Sequence, residues 1–481
     1  MNHSLAILGT GSDVGKSLVT AGLLRLLKRR GWLVAPFKAQ NMSNNSGVTW
    51  DGLEMGRAQF VQARAAGLEP DVLMNPVLIK PEADHASQLV LRGKPVGRLE
   101  GSNFFIRNAE LRQAALEDYA QLQARYQNIL IEGAGSLAEV NLRSRDFINL
   151  GLCQAVRAPA LLLADIDRGG VFAQIVGSLE VISPEDRAMI KGILINRFRG
   201  SRELFQEGIE WIEQRTGLPV LGLLPFLADH GLPSEDAQSL EYQIDPLPPK
   251  GPAVAVIRYP RISNFTDFEP LAEVPGLACH FLSGPRNLSP YGLVILPGSK
   301  SSLADLDWLR QSGWLEPLEA YRKAGGKVLG ICGGYQMLGQ KLEDPEALES
   351  PGGGEREGLG LIPMTTSFGR EKRLTRTAGT SPLGTAFEGY EIHQGRSFYQ
   401  GPQRPWLTLT DGPEGWNDGQ IFGSYQHGLF ESRPFLAEFL EQVMAFSWDA
   451  DQGGDPYDRL ADGLEPHLDL DQIEAILREG L

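Results

Sequence analysis

Short apolar runs recur through the first half of the chain, and each ends in a polar or glycine-rich segment. Residues 5–8 lead into 9–17, 34–37 into 38–45, 128–131 into 132–136, and 159–164 into 165–172. Residues 192–195 end in 196–200, and 217–225 close the series. Runs of this length, bounded by glycine and polar residues, predict buried strands. The first is followed by a helical pattern to about Arg30, and strands and helices alternate throughout this half. That alternation predicts a mostly parallel sheet covered on both faces. Ligands bind at the carboxyl edge of such a sheet, which is where all these polar segments fall.

From 229 to 252 the chain turns polar and proline-rich, with Pro246, Pro248, Pro249 and Pro252 close together, the composition of a domain boundary. Residues 253–257 and 293–296 restart apolar strands, and 327–331 lead into a tight glycine turn at Cys332 and a helix start. The 348–384 region, rich in Gly, Thr and Arg, is expected to be irregular. In the tail, Leu460, Leu464, Leu468, Ile473, Ile476 and Leu477 fall at helical spacing and predict a docking helix pair. The expected division is a first α/β domain over 1–229, a linker over 230–251, a second α/β domain over 252–447 and a helical tail over 448–481.

At 481 residues, 42% hydrophobic and 22% charged, the chain is long enough for two or three domains with ordinary globular cores. A net charge of −15 argues against general nucleic-acid or anionic-membrane binding, although a local arginine cluster can still meet an anionic substrate. The three cysteines are widely spaced, without a disulfide framework or zinc spacing, and a reducing cytoplasm is the expected setting. No apolar run approaches the ~18 residues of a membrane span.

Gly9-Thr10-Gly11-Ser12-Asp13-Val14-Gly15-Lys16-Ser17 is a phosphate-binding loop by position and chemistry. Backbone N–H groups around Gly11 and Gly15 would cradle phosphate oxygens, Lys16 would meet the terminal phosphates of ATP, and Ser17 would sit on Mg²⁺. Five residues, not the standard four, separate Gly9 from the Gly15-Lys16 pair, a spacing that resembles dethiobiotin synthetase and its relatives. Glu132, at a strand end beside a glycine turn, is well placed to hold Mg²⁺, and Asp51 and Glu54 are possible second metal ligands. Asn196 offers an amide to a nucleobase edge. Lys38 can meet phosphate or a substrate carboxylate. Asp165, Asp167 and Arg168 form a dense polar group in which the Arg168 fork suits a carboxylate.

Gly330-Ile331-Cys332-Gly333-Gly334 has the layout of a nucleophile elbow with Cys in place of Ser. The helix start directs N–H groups at the sulfur and favours thiolate. A nucleophilic cysteine in such a protein fits a short list of chemistries, glutamine amide hydrolysis prominent among them, with Gly333 and Gly298 amides expected to hold an oxyanion. His393 and His427 compete for the base, and the strand-loop-helix position late in the domain favours His427.

Together the two halves resemble the cobyric acid synthase family. Residues 38–45, 165–172 and 258–267, the Cys332 elbow and 425–430 carry the resemblance most specifically. The resemblance implies a dethiobiotin-synthetase-like ATP domain fused to a glutamine amidotransferase domain. It also implies ATP- and glutamine-dependent amidation of the b, d, e and g carboxylates of a corrinoid, adenosylcobyrinic acid a,c-diamide. Relatives of the glutaminase type place a Glu two residues after the His. Here Leu429 stands there and Glu431 comes four after, so a Cys-His dyad and slow uncoupled glutaminase are expected, with the group that orients His427 left open. The alternatives are a cobyrinic acid a,c-diamide synthase, a ligase acting on another carboxylate, and a partition-type ATPase used as a binding module.

Overall fold

The computed structural model describes residues 3–83, 86–227, 232, 246–349, 353–450 and 454–481. The chain forms two compact units, and neither is continuous in sequence. The first comprises 1–43, 54–235 and 454–481; the second comprises 44–53 and 236–453. The tail read as a separate segment thus belongs to the first unit, and ten residues from within the first half belong to the second. Most of the expected linker, 230–251, lies outside the described residues.

The apolar runs of the first unit become a six-stranded sheet in the order Val220–Pro225, Ile190–Phe198, Ala160–Asp165, His3–Gly9, Asn128–Glu132, Val34–Phe37. Every pairing is parallel. Strands buried on both faces read as unbroken apolar runs, which is why these were visible in the sequence. Ile7 is level with Glu132, Gly9 with Leu163, and Asp165 with Asn196, so the polar strand ends line one edge. A smaller sheet of Gln40–Met42, Val77–Ala83, Ala86–Leu91 and Lys94–Glu100 completes the unit.

The tail helix Pro456–Leu464 packs on Lys16–Arg29, the helix that follows the phosphate loop, and Leu470–Glu479 packs on the strands His3–Gly9 and Val220–Pro225. Leu460, Leu464, Leu470, Ile473 and Leu477 are all buried there with Leu23, Leu24 and Leu27. Leu464 fits a notch left by Gly22, where a Cβ would approach it to 2.3 Å. At the rim, Arg25 grips Asp458 through two bonds of 2.7 Å, and Arg29 adds Asp462 at 2.7 Å.

In the second unit the main sheet runs Ala278–Leu282, Ala253–Ile257, Leu293–Leu296, Lys327–Ile331, Ile421–Ser424, Trp416–Asn417. All pairs but the last are parallel. The region expected to be irregular instead holds Gly354–Glu357 and the 17-residue strand Met364–Thr380, which pairs antiparallel with Ala386–Tyr399. A register shift between Phe368 and Arg373 and a run of charged residues break the alternation that would have marked it. Among the described residues no helix is long and apolar enough to cross a membrane.

The tail's hold on the first unit is mainly apolar, because deleting a buried leucine costs about 2–5 kcal/mol. Half-exposed ion pairs contribute about 1 kcal/mol or less. Leu464→Ala is therefore expected to lower the denaturation midpoint of the first unit several times more than Asp458→Asn, as followed by chemical denaturation. Equal effects would contradict an apolar hold.

Candidate active site

In the first unit, the phosphate loop leaves the central strand at Gly9 and enters the helix at Lys16. Gly15 takes φ 92° there, a conformation that favours glycine, and a Cβ would meet Asn196 Nδ2 at 2.3 Å. Asn196 Nδ2 donates to Val14 O at 2.8 Å, so this amide braces the loop. Lys16 Nζ donates to Gly11 O and Gly135 O, both at 2.9 Å. Glu132, fully buried, is the hub of this edge. Its Oε1 accepts from Ser17 Oγ at 2.6 Å and Lys38 Nζ at 2.8 Å, and its Oε2 accepts from Gln62 Nε2 at 2.5 Å.

Ser17 and Glu132 thus present hard oxygen donors side by side at the loop. Mg²⁺ takes one or two such protein ligands and completes its shell with water and phosphate oxygens, so the pair fits that ion. Glu54 is buried in an ion pair with Lys80, and Asp51, which accepts from Thr49 Oγ1 at 2.5 Å, belongs to the second unit. Among the described residues there is no cluster of three or more His, Cys, Asp or Glu able to hold a metal.

Asp165 is buried, accepting from the Asp167 amide at 2.8 Å and Arg197 Nη1 at 2.7 Å. Asp167 holds Arg199 at 2.7 Å. Of this trio only Arg168 keeps its guanidinium largely in solvent, with 65% of its side chain exposed and Asp13 3.8 Å away.

In the second unit, Cys332 sits at φ 49°, ψ −106° between the strand Lys327–Ile331 and the helix Gly333–Leu338. Strained backbone at a strand-to-helix turn is the signature of an elbow that holds a nucleophile outward. The turn is possible because Gly334 has no Cβ: one there would lie 1.9 Å from Leu296 O. The Cys332 sulfur faces Ile392 O at 3.6 Å.

His427 is 1% exposed. Its Nδ1 lies 2.6 Å from Asp267 Oδ2, while Asp267 Oδ1 accepts the Gly428 amide at 3.0 Å. Asp267, on the turn Phe265–Phe268, was not identified as a site residue from the sequence; it is 160 residues from His427, so spacing held no signal. Asp267 thus occupies the place of the orienting group that the sequence left open. With Asp267 on Nδ1, Nε2 is the ring nitrogen left for the Cys332 sulfur. Burial alone would lower the imidazole's pKa; the charges of Asp267 and Cys332 and their hydrogen bonds outweigh it and raise it from the ordinary 6.5 to about 10. The pair therefore stabilises the unit fully below about pH 6.5, and that contribution is lost as the pH rises through about 10.

The competing His393 is spoken for. Its Nδ1 contacts Gly395 O at 2.8 Å, Nε2 faces Glu391, and its ring stacks on Tyr425 at 3.8 Å.

Gly298 and Gly333 both border this centre. A Cβ at Gly298 would lie 3.3 Å from His427 Cε1, and one at Gly333 would lie 2.8 Å from the Ser299 nitrogen. The Gly333 amide opens its helix and has no intrahelical acceptor. Ile262–Ser263 pairs antiparallel with Gly298–Ser299, and Lys300 N donates to Arg261 O at 2.8 Å. Because bonded and non-bonded pairs alternate, that bond assigns the Gly298 amide to the ladder and turns the Ser299 amide away from it, towards Gly333.

Comparison with known proteins adds three findings. Residues 5–238 match the model described as a CobQ/CobB/MinD/ParA nucleotide binding domain, and 253–435 match a CobB/CobQ-like glutamine amidotransferase domain. The chain is 45% identical to a cobyric acid synthase of Chlorobium phaeobacteroides, over 99% of this chain and 97% of that one. It is 49% identical to one of Paracoccus denitrificans and 47% identical to one of Cereibacter sphaeroides, each over 99% of this chain and 100% of the other.

Asp267→Asn tests the orientation of His427. Gly428 fixes Oδ1, so the new NH₂ would face Nδ1 and place the ring proton on the nitrogen facing Cys332. Glutamine hydrolysis is expected to fall by about 10²-fold or more. Loss of the carboxylate charge lowers the His427 pKa, so the alkaline limb of the kcat/KM profile should move to lower pH. An unchanged rate and profile would show that Asp267 does not orient the base.

Proposed function

The chain belongs to the cobyric acid synthase family, and on that premise we propose that it amidates the b, d, e and g carboxylates of adenosylcobyrinic acid a,c-diamide. It is a glutamine-dependent, ATP-using amide ligase of cobalamin biosynthesis. What carries the finer reading is one chain holding both a strained cysteine beside a paired histidine and a phosphate loop braced by Glu132.

In the second unit, the proton of Cys332 already rests on His427 Nε2, and from this ion pair Cys332 Sγ attacks the side-chain carbonyl carbon of glutamine. The negative oxygen of the tetrahedral intermediate lies against the Gly333 amide and a second donor from the 298–299 turn. Gly298 was the expectation for that donor; the ladder register favours the neighbouring Ser299 amide. Collapse breaks the C–N bond, and His427 returns its proton to the departing ammonia, leaving a thioester that water cleaves to glutamate.

In the first unit, Lys16 and the loop amides hold the phosphates of ATP while a corrinoid carboxylate oxygen attacks the terminal phosphorus, releasing ADP and forming an acyl phosphate. Ammonia then adds at the acyl carbon and phosphate leaves, giving the amide. Mg²⁺, held by Ser17 and Glu132, supplies charge neutralisation of the phosphates when bound. Lys38 lies on the same carboxylate and is suited to meet phosphate or the reacting carboxylate. Arg168, with its fork in solvent, is suited to a corrinoid carboxylate not undergoing reaction, while Asp165 and Asp167 shape that loop through Arg197 and Arg199.

Mass spectrometry of the corrinoid after incubation with glutamine and ATP-Mg²⁺ tests this. The wild type is expected to add four amides in succession to the a,c-diamide. Cys332→Ala is expected to add none from glutamine and all four from ammonia. Turnover of cobyrinic acid in place of its a,c-diamide would move the assignment to the a,c-diamide synthase.

A further inference from the structure

Segment 44–53 is anchored at both ends in the first unit but packs within the second. Ser43 N donates to Ile79 O at 3.0 Å, and Glu54 N donates to Gly93 O at 3.1 Å, both in the smaller sheet of the first unit. Six residues before the segment stands Lys38, whose ammonium rests on Glu132.

Within the second unit, both backbone groups of Ser46 are held by side chains. Its N–H donates to Asn264 Oδ1 at 3.3 Å, and its carbonyl accepts from the Tyr390 hydroxyl at 2.9 Å. All three residues are buried. Each partner supports the catalytic pair from a different side. The Tyr390 ring stacks on the His427 imidazole, with centroids 5.2 Å apart and planes 21° from parallel. Asn264, in the left-handed region at φ 50°, precedes the turn that bears Asp267, and its carbonyl accepts the Asp267 amide at 3.0 Å. Val48, two residues on and fully buried, packs with Tyr390 and Ile392, and the Ile392 carbonyl is the one that faces the Cys332 sulfur.

The backbone of one residue therefore bonds both the ring stacked on the base and the residue that starts the turn holding its carboxylate. Substrate does not reach it in the mechanism above, so its role is one of position. We propose that the Ser46 backbone is a positioning strap. Seated, it holds Tyr390 and Asn264 so that His427 and Asp267 align. Shifted by events at its anchored ends in the first unit, it lets them drift. The strap makes glutamine hydrolysis answer to occupancy of the ATP unit, and the inference rests on assigning Cys332 and His427 to that hydrolysis.

The test uses the intact chain and measures glutamate release with glutamine alone and with ATP-Mg²⁺ plus the a,c-diamide added. Coupling between sites commonly amounts to about 5- to 150-fold, so wild-type stimulation in that range is expected. Tyr390→Phe keeps the ring and loses the bond to Ser46. Asn264→Gly keeps the left-handed turn and loses the other bond. In both variants the stimulation is expected to fall to within about twofold of none. The KM for glutamine should be little changed, with the loss in kcat of the stimulated state, and ammonia-driven amidation should persist as proof of folding. Wild-type stimulation retained in both variants would overturn the strap, as would a wild type that hydrolyses glutamine at one rate under both conditions. A wild type that amidates from ammonia but never hydrolyses glutamine would overturn the assignment of Cys332 and His427, and the strap with it.

Discussion

The buried contact between Asp267 and His427 is the constraint on which the glutaminase half depends. Both side chains are almost fully removed from water, so neither charge is tolerable without the other. Asp267 spends one oxygen on Nδ1 and the other on the Gly428 amide, which fixes the carboxylate against the same backbone turn that carries the histidine. The ring then has one free nitrogen and one direction in which to use it. In the proposed mechanism, the strained backbone at Cys332 has a purpose only with that nitrogen in place. An elbow brings the sulfur out, and the oriented ring gives its proton somewhere to go.

The first unit is organised in the same way around Glu132. One carboxylate at a strand end gathers Ser17 from the phosphate loop, Lys38 from the adjacent edge strand and Gln62 from a helix. The parallel sheet makes this convergence possible, because it brings the ends of strands distant in sequence to one edge. Nothing in either centre requires long-range electrostatics. In each, a single buried carboxylate organises donors that arrive from separate parts of the chain.

What could be read from the sequence was local. The phosphate loop, the cysteine elbow, the strands Ala253–Ile257 and Leu293–Leu296 and the tail helices each carry their signal within a dozen residues, as an apolar run, a glycine at a forced turn or a helical repeat. What was missed was non-local. Asp267 meets His427 across 160 residues, and an aspartate in a polar loop looks the same whether it orients a base or faces water. Segment 44–53 reads as part of the first domain because its neighbours in sequence belong there, while its packing lies with the second unit. The strand Met364–Thr380 escaped because one long, partly exposed strand with a register shift and four consecutive charged residues, Arg370 to Arg373, resembles a loop in composition. Asn196 and Asp165 were legible as polar strand ends, but not as groups bound to the protein's own backbone and arginines.

The most direct test of the Asp267–His427 pair is ¹⁵N NMR of the histidine side chains in the intact protein, with the His427 signals assigned by their loss in His427→Gln. The structure predicts a ring protonated at both nitrogens at neutral pH, with Nδ1–H in a strong hydrogen bond, that titrates near 10. A ring that titrates near the ordinary 6.5, with a neutral Nε2–H form above it, would contradict the pairing on which the glutaminase mechanism rests.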